Sequence, residues 1–313
     1  MPYRFVVLTD THFLAPGHRA EGKTWWNRVL ESRCGEISEA LVRAIKSLSP
    51  DFAIHCGDFT GHCDLVNYEF GVEVMNRLGC PWYAVPGNHD TWWPGVRAAL
   101  AARYQLPGED CFYARNLAGL RFIFLDVVYW TSNQGETTPY LSKELYDRGE
   151  ISGMGPRQEE LAWLEQELAT ADRPIILVSH APLGYRPAYT IPTLPYGMPA
   201  PRPQTSIVAL MGDLLLRKDV RDIVRRSRLV KAAFAGHWHI CDTIREDGVT
   251  FCQTGALREY PFEFRLVEVS GSELTVTTVG IGGDFQCESY VESWRNRWVA
   301  GADGDRSFTV KLE

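Results

Sequence analysis

The stretch Trp82-Tyr83-Ala84-Val85-Pro86-Gly87-Asn88-His89-Asp90 decides the fold, because it joins a short apolar run directly to a cluster of polar side chains. Residues 82–85 are β-prone and predict a buried strand with the polar residues at its carboxyl end. Open α/β sheets hold their functional sites at the carboxyl ends of strands. The stretch therefore predicts a sheet protein whose site is built on the loops that follow the strands.

Four further motifs of the same kind lie on either side of this stretch. In chain order, the five motifs are Asp10-x-His12, Gly57-Asp58, Gly87-Asn88-His89-Asp90, His180 and Gly236-His237-x-His239. Each motif follows a short apolar run, and each one taken alone is weak evidence of function. Their joint occurrence, with five of the chain's eight histidines among them, is difficult to explain by chance.

Helical segments separate the predicted strands. Apolar residues recur at helical spacing over residues 36–48, and residues 67–78 and 159–168 also favour helices. Strands that alternate with helices predict an α/β fold with the helices on the outside. The pattern changes after residue 249, where residues 250–252, 264–269 and 274–279 predict antiparallel strands that close a second sheet.

The predicted domain covers residues 1–281, and residues 282–313 form a C-terminal extension. The extension contains Trp294 and Trp298 and predicts a short helix and a last strand. We expect it to pack on the domain or on a partner subunit, which would make the protein a homo-oligomer. Residues 129–155 are polar and glycine-rich and interrupt the core pattern.

The composition is that of an ordinary globular protein, with 45% hydrophobic residues and a net charge of -7. The negative charge disfavours a nucleic acid as the substrate. No signal peptide or membrane span is evident, so we expect a cytoplasmic protein without a membrane contact. The eight cysteines are scattered without a Cys-x-x-Cys pair, which predicts reduced, mostly buried thiols.

The residue types of the five motifs suit a pair of metal ions. Two metals held roughly 3.5–4 Å apart need a bridging anion, and the Asp58 carboxylate can bind both. Histidine and carboxylate ligands suit manganese, iron and zinc. Glycine precedes Asp58, Asn88 and His237, where it lets the backbone bend sharply or approach the metals closely. These residues predict a two-metal site.

The five motifs resemble those of the calcineurin-like metallophosphoesterases in order and spacing, over residues 4–260. Within that superfamily, the chain looks most like the class III cyclic nucleotide and glycerophosphodiester phosphodiesterases. The resemblance implies a four-layer αββα sandwich of two mixed sheets flanked by helices. It also implies the metal ligands, with Asp58 bridging: Asp10, His12 and His239 for the first metal, and Asn88, His180 and His237 for the second.

The reaction that the resemblance implies is hydrolysis of a small phosphodiester. A hydroxide bridging the metals would attack phosphorus, and His89 would stabilise or protonate the leaving oxygen. The alternatives are a phosphomonoesterase or a nuclease of the same superfamily. A third alternative is a scaffold protein that has lost catalysis, although all seven ligands and His89 are present here.

One position departs from the family pattern. Many members carry an aspartate three residues after the bridging aspartate, where it supports the catalytic histidine, but this chain has Gly61. Asp64 and Asp90 are the candidates to support His89 in its place. The fourth motif contains a single histidine, His180, so its predicted ligand is unambiguous.

Several features around the motifs are left with two interpretations. The aromatic pairs Trp25-Trp26 and Trp92-Trp93 can line a substrate pocket or pack in the core. His18 and Arg19 can meet a phosphate or belong to a solvated loop. Residues 182–203 are rich in proline and tyrosine and can form a lid. The sequence Arg258-Glu259-Tyr260 can reach the pocket or form a surface turn.

Overall fold

The computed structural model describes residues 3–18, 32–184, 217–283 and 299–313. Its strands are β1 (Tyr3–Leu8), β2 (Phe52–His55), β3 (Trp82–Ala84), β4 (Tyr113–Leu117), β5 (Leu120–Phe124), β6 (Tyr129–Ser132), β7 (Thr137–Thr138), β8 (Ile151–Gly155), β9 (Ile175–Val178), β10 (Val230–Ala235), β11 (Asp242–Glu246), β12 (Val249–Gln253), β13 (Glu263–Ser270), β14 (Glu273–Gly280) and β15 (Ser307–Lys311). Its helices are α1 (Cys34–Leu48), α2 (Leu65–Asn76), α3 (Val96–Arg103), α4 (Lys143–Asp147), α5 (Gln158–Thr170), α6 (Arg217–Arg225) and α7 (Asp303–Arg306).

Two six-stranded mixed sheets form the centre of the molecule. The first has the order β15-β14-β13-β1-β2-β3, and the second has the order β11-β12-β10-β9-β5-β4. The strands β1, β2 and β3 are parallel to one another, as are β5, β9, β10 and β12. Because parallel strands end at the same edge, the loops after β1, β2 and β3 lie side by side.

Alternation of side chains along β1 divides the core into layers. Phe5 and Val7 face the second sheet, where the Phe5 and Phe122 ring centroids are 5.4 Å apart. Val6 and Leu8 point the other way and pack against the apolar side of α1. The helices α5 and α6 cover the outer face of the second sheet in the same manner. This arrangement confirms the predicted four-layer αββα sandwich.

The prediction that the last strands are antiparallel and close a second sheet was right only in part. The strand β12 lies in the second sheet, antiparallel to β11 but parallel to β10. The strand β13 instead pairs antiparallel with β1 in the first sheet, with Tyr3 opposite Val269, and β14 follows it. Alternating apolar residues specify a strand, but the neighbour of that strand depends on which sheet has an open edge.

The last predicted strand is confirmed as β15, which pairs antiparallel with β14 at the edge of the first sheet. Its side chains Phe308 and Val310 are buried in the core between the sheets. The short helix α7 precedes it. Trp294 and Trp298 lie outside the described residues, and the boundary at residue 281 stays a prediction.

Residues 129–155 form a small third sheet, β7-β6-β8, together with α4. Despite the polar composition of this segment, Trp130 and Met154 are fully buried. The Trp130 indole donates a hydrogen bond to the Thr91 hydroxyl over 3.0 Å. The small sheet therefore packs against the loop that follows β3.

None of the helices in the described ranges is long and apolar enough to cross a membrane. The seven cysteines of these ranges are free thiols, and five of them are buried. Cys287 lies outside the described residues.

Candidate metal centre

Loops from both sheets build the centre. Asp10, His12, Asp58 and Asn88 follow β1, β2 and β3 of the first sheet, whereas His180, His237 and His239 follow β9 and β10 of the second. Backbone hydrogen bonds align the loops, because Asp10 N donates to Gly57 O over 3.0 Å and His12 N donates to Asp58 O over 3.1 Å. Residues far apart in sequence are thereby brought to one edge of the sandwich.

The predicted ligands form two groups that share Asp58. Within each group, one ligand atom from every residue lies within 4.8 Å of the others. The groups are Asp10, His12, Asp58 and His239, and then Asp58, His180 and His237. The Asn88 side-chain oxygen joins the second group, 2.9 Å from His180 Nε2. The structure thus brings all seven residues together, while metal binding by them stays a prediction.

The spacing of the atoms fits metal ions. His12 Nε2 lies 3.4 Å from His239 Nε2, and ligand atoms that share one ion at about 2.1 Å each are separated by roughly this distance. Asp10 Oδ1 is buried and accepts no hydrogen bond from the described residues, but it lies 3.2 Å from His239 Nε2. Since buried polar atoms normally have partners, a cation between these groups would satisfy this oxygen.

Hydrogen bonds behind the cluster orient two of the histidines. His180 Nδ1 lies 2.8 Å from the Cys56 carbonyl oxygen, and His239 Nδ1 lies 2.6 Å from Glu259 Oε1. Both acceptors require a proton on Nδ1, which leaves the Nε2 lone pair free to bind a metal. Glu259 therefore reaches the site, and this resolves the choice between pocket and surface turn for that residue.

Most of the candidate ligands have a strained backbone. Asp10, His12, Asp58, His237 and His239 all have positive φ angles, between 40° and 72°. This left-handed region is costly for residues other than glycine and is concentrated at functional sites. The loop hydrogen bonds hold these residues in the conformation that points the side chains at one another.

Two glycines allow the loops to approach closely. A Cβ atom at Gly87 would overlap the backbone nitrogen of Asp58, and one at Gly236 would overlap the Thr9 hydroxyl and the Asp10 carboxylate. The Asp10 carboxylate also accepts the His237 backbone N–H over 3.0 Å. These glycines therefore let neighbouring loops approach closely, while their predicted approach to metal ions stays a prediction.

The two candidate supports of His89 have other described partners. The Asp90 carboxylate accepts backbone N–H groups from Gly87, Phe59 and Thr60 over 2.8–3.0 Å, which ties the third motif to the second. Burial and the Asp58 charge raise the pKa of Asp90 to about 7. Asp64 instead caps α2 through the Asn67 backbone N–H, 2.9 Å away. The described hydrogen bonds of both carboxylates therefore go to groups other than the His89 ring.

His89 lies beside the first group of ligands. Its ring centroid is 5.0 Å from that of His12, with the planes at 83°. Its backbone N–H donates to Asp58 Oδ1 over 2.8 Å. Burial lowers the pKa of His89, although the Asp58 charge opposes this change. The His89 ring therefore lies beside His12, while the His89 backbone contacts the shared Asp58 carboxylate.

The carboxylates give the centre its charge. Burial alone would raise the pKa of Asp10, but the neighbouring His239 lowers it to about 2. For His180, burial is outweighed by the Asp58 charge, which raises the pKa to about 9. A bound metal ion would displace the proton that His180 holds beside Asp58, because metal ligands bind in their deprotonated forms.

Sequence reasoning missed His55, which links the first two motifs. His55 Nδ1 accepts the Gly57 N–H over 3.1 Å, and its Nε2 lies 2.9 Å from the Thr11 hydroxyl. Burial lowers the pKa of His55 to about 3, so the ring is neutral. The signal that the sequence offered is the position of His55, between the apolar run of residues 52–54 and the motif Gly57-Asp58.

Relatives and solved structures resemble this chain. A probable cyclic nucleotide phosphodiesterase of Synechococcus sp. is 28% identical over 138 residues, which cover 44% of this chain and 45% of that protein. A probable glycerophosphodiester phosphodiesterase of Arcobacter nitrofigilis is 27% identical over 190 residues, which cover 56% of each. The chain thus spans about half the length of the curated relatives it matches. A dimetal phosphatase of Danio rerio has a similar fold, with a TM-score of 0.64, 15% identity and 99% coverage of both chains.

The model of the calcineurin-like phosphoesterase family matches residues 3–241. This match covers most of the chain and includes all seven candidate ligands and His89. The chain belongs to the calcineurin-like phosphoesterase family.

Proposed function

We propose that this protein is a metal-dependent hydrolase of small phosphodiesters. The observation that carries this proposal is the pair of ligand groups sharing Asp58, with His89 beside them. A shared carboxylate suits a pair of ions that act together on one phosphoryl group. The names of the relatives, a cyclic nucleotide phosphodiesterase and a glycerophosphodiester phosphodiesterase, support a diester as the substrate.

The ligands divide between two ions. Asp10, His12 and His239 would hold the first ion, Asn88, His180 and His237 would hold the second, and Asp58 would bind both. When bound, the ions supply Lewis-acid activation of water and of the phosphoryl oxygens. Manganese, iron and zinc all accept these nitrogen and oxygen donors.

His89 is the proposed catalytic residue. Its ring lies beside the first group and is not among the ligands of either group. We assign it the transfer of a proton to the leaving oxygen. Proton transfer requires the protonated His89 ring, and the negative charge of a bound phosphodiester would favour that form against the effect of burial.

A phosphomonoesterase or a nuclease would use the same residues, and substrate comparison separates these activities. A scaffold protein would keep the fold without turnover. We further propose a cytoplasmic location, in keeping with the sequence.

The test is hydrolysis of bis(p-nitrophenyl) phosphate by manganese-loaded protein, with p-nitrophenyl phosphate as the monoester. We expect the diester to be cleaved with the higher kcat/KM. Asp58→Asn should abolish activity and lower the metal content. His89→Ala should lose roughly 10²–10⁴-fold in kcat while it keeps both metals.

Asp172→Asn, at an exposed position, is the control and should match the unmodified protein. No turnover of any ester by metal-loaded protein would favour the scaffold. A metal-free His89→Ala variant would show that the role assigned to His89 is wrong.

A further inference from the structure

Two neighbouring tryptophans after the third motif have different environments. Trp93 is partly buried and packs against the core under the first sheet. Trp92 is 38% exposed, and it is one of four large hydrophobic side chains that are exposed in the described part of the chain. The structure thus separates a packing residue, Trp93, from an aromatic ring that solvent can reach.

The Trp92 ring is held in place by two residues of the site. It stacks on His89, with the centroids 5.7 Å apart and the planes at 23°. Its indole N–H donates to the Asn88 carbonyl oxygen over 2.7 Å. An exposed aromatic ring that is fixed in this way is preorganised for binding, because little conformational freedom is left to lose.

A second ring extends this surface. Tyr146 of α4 lies beside Trp92, with the ring centroids 6.4 Å apart and the planes at 38°. It belongs to the segment of residues 129–155, which packs against the loop after β3 through Trp130. We call the pair of Trp92 and Tyr146 the aromatic wall.

The wall adjoins His89, the proposed proton donor. The His89 ring centroid is 5.0 Å from that of His12 and 5.7 Å from that of Trp92. A leaving oxygen that takes its proton from His89 would therefore lie near Trp92, and its substituent could reach the Trp92 ring. A planar ring gains stacking energy on such a surface, whereas a glycerol group does not.

We propose that the aromatic wall binds a nucleobase carried by the leaving group of the diester. This inference rests on the proposed function and narrows its substrate class to nucleoside phosphodiesters. In the reaction, water adds to phosphorus and the bond from phosphorus to the nucleoside oxygen breaks. The nucleoside oxygen takes the proton from His89 and departs as a hydroxyl group.

Matched substrates test the wall. We compare the methyl phosphodiesters of adenosine (through its 5′ oxygen) and of ribose (through its 5 oxygen), which differ only in the base. Manganese-loaded protein should favour the adenosine diester in kcat/KM and release adenosine and methyl phosphate. Trp92→Ala should reduce this preference by about tenfold, since stacking of one base contributes on this scale.

Two further variants separate stacking from support of His89. Tyr146→Ala should also reduce the preference for the adenosine diester. The described ring contact of Tyr146 is with Trp92 and not with His89, so this variant tests stacking apart from support of His89. Tyr3→Ala removes an exposed aromatic ring from the start of β1 and should leave the preference unchanged. Calorimetric titration with adenosine 5′-monophosphate and ribose 5-phosphate gives the same comparison without turnover.

Three results would contradict the proposal that the aromatic wall binds a nucleobase. These are equal cleavage of both diesters by the unmodified protein, equal losses on both diesters in Trp92→Ala, and release of methanol and adenosine 5′-monophosphate. Each of them leaves the proposed function intact if bis(p-nitrophenyl) phosphate is still cleaved. Failure to cleave any diester would instead contradict the proposed function, and with it the proposal that the wall binds a nucleobase.

Discussion

The contact between His239 and Glu259 joins a candidate ligand to a carboxylate 20 residues further along the chain. At 2.6 Å it is a short, charge-assisted hydrogen bond to Nδ1. Such a bond fixes the ring orientation and makes the Nε2 atom a better ligand. Glu259 is therefore a positioning residue for the first group.

Replacing Glu259 should weaken one metal site selectively. Glu259→Gln keeps the size of the side chain but removes its charge, so we expect about 10–100-fold weaker binding of one manganese ion. Competition with a chelating dye measures both affinities. Glu268→Gln, in an exposed ion pair with Arg4, is the control. Unchanged affinities in Glu259→Gln would show that the carboxylate has no part in metal binding.

At the scale of elements, α5 carries an acidic residue into the core of the second sheet. Glu160 is fully buried and accepts the Asp126 backbone N–H over 2.7 Å. Its second carboxyl oxygen has no hydrogen-bond partner among the described residues. Burial and the charge of Asp126 raise the pKa of Glu160 well above its usual value. The folded protein therefore favours the neutral acid at this position.

This burial predicts a dependence of stability on pH. Unfolded Glu160 loses its proton above a pH of about 4.3, while the folded protein retains it. The stabilisation is complete below that pH and is lost as the pH rises towards the folded pKa. Glu160→Gln mimics the neutral acid, so its stability relative to the unmodified protein should increase with pH above about 4.3, by up to about 1.4 kcal/mol per pH unit until the folded pKa is reached.

Urea unfolding at pH 5, 6 and 7 measures this difference. Glu159→Gln, at an exposed position of the same helix, is the matched control. A stability difference for Glu160→Gln that stays constant across these pH values would contradict the prediction.

At the scale of the whole molecule, the candidate metal centre joins the two sheets. Asp10, Asp58 and Asn88 extend from the first sheet, and His180 and His237 extend from the second. Ions bound between them would cross-link the layers of the folded state. The unfolded chain has no such preformed site, so metal binding should stabilise the whole fold.

Metal removal should therefore lower the melting temperature. An ion at 100 times its Kd stabilises by about 2.7 kcal/mol, which corresponds to roughly 4 °C for a protein of this size. Calorimetry of chelator-treated and manganese-loaded protein measures the shift. Asp58→Asn should lose most of it, because both groups share this carboxylate. An identical melting temperature with and without manganese would contradict the cross-link.

Much of the fold could be predicted because its signals are local. The loop after β3 shows what such local signals predict and what they do not. The run before Gly87 predicted a strand, which the structure confirms, and the polar residues after it predicted a site at its end, which stays a prediction. The adjacent Trp92 and Trp93 were indistinguishable, because their exposure depends on α4 and on the core, neither of which is encoded beside them.

The sequence by itself determined the strand-end motifs, the α/β layering and the family, since each can be read from short local patterns and from their order along the chain. Only the tertiary structure decided that β13 pairs with β1 and that Asp90 binds the backbone of the second motif. It also decided that Glu259 supports His239. These are contacts between distant segments, and their partners are chosen by packing in three dimensions rather than by local pattern.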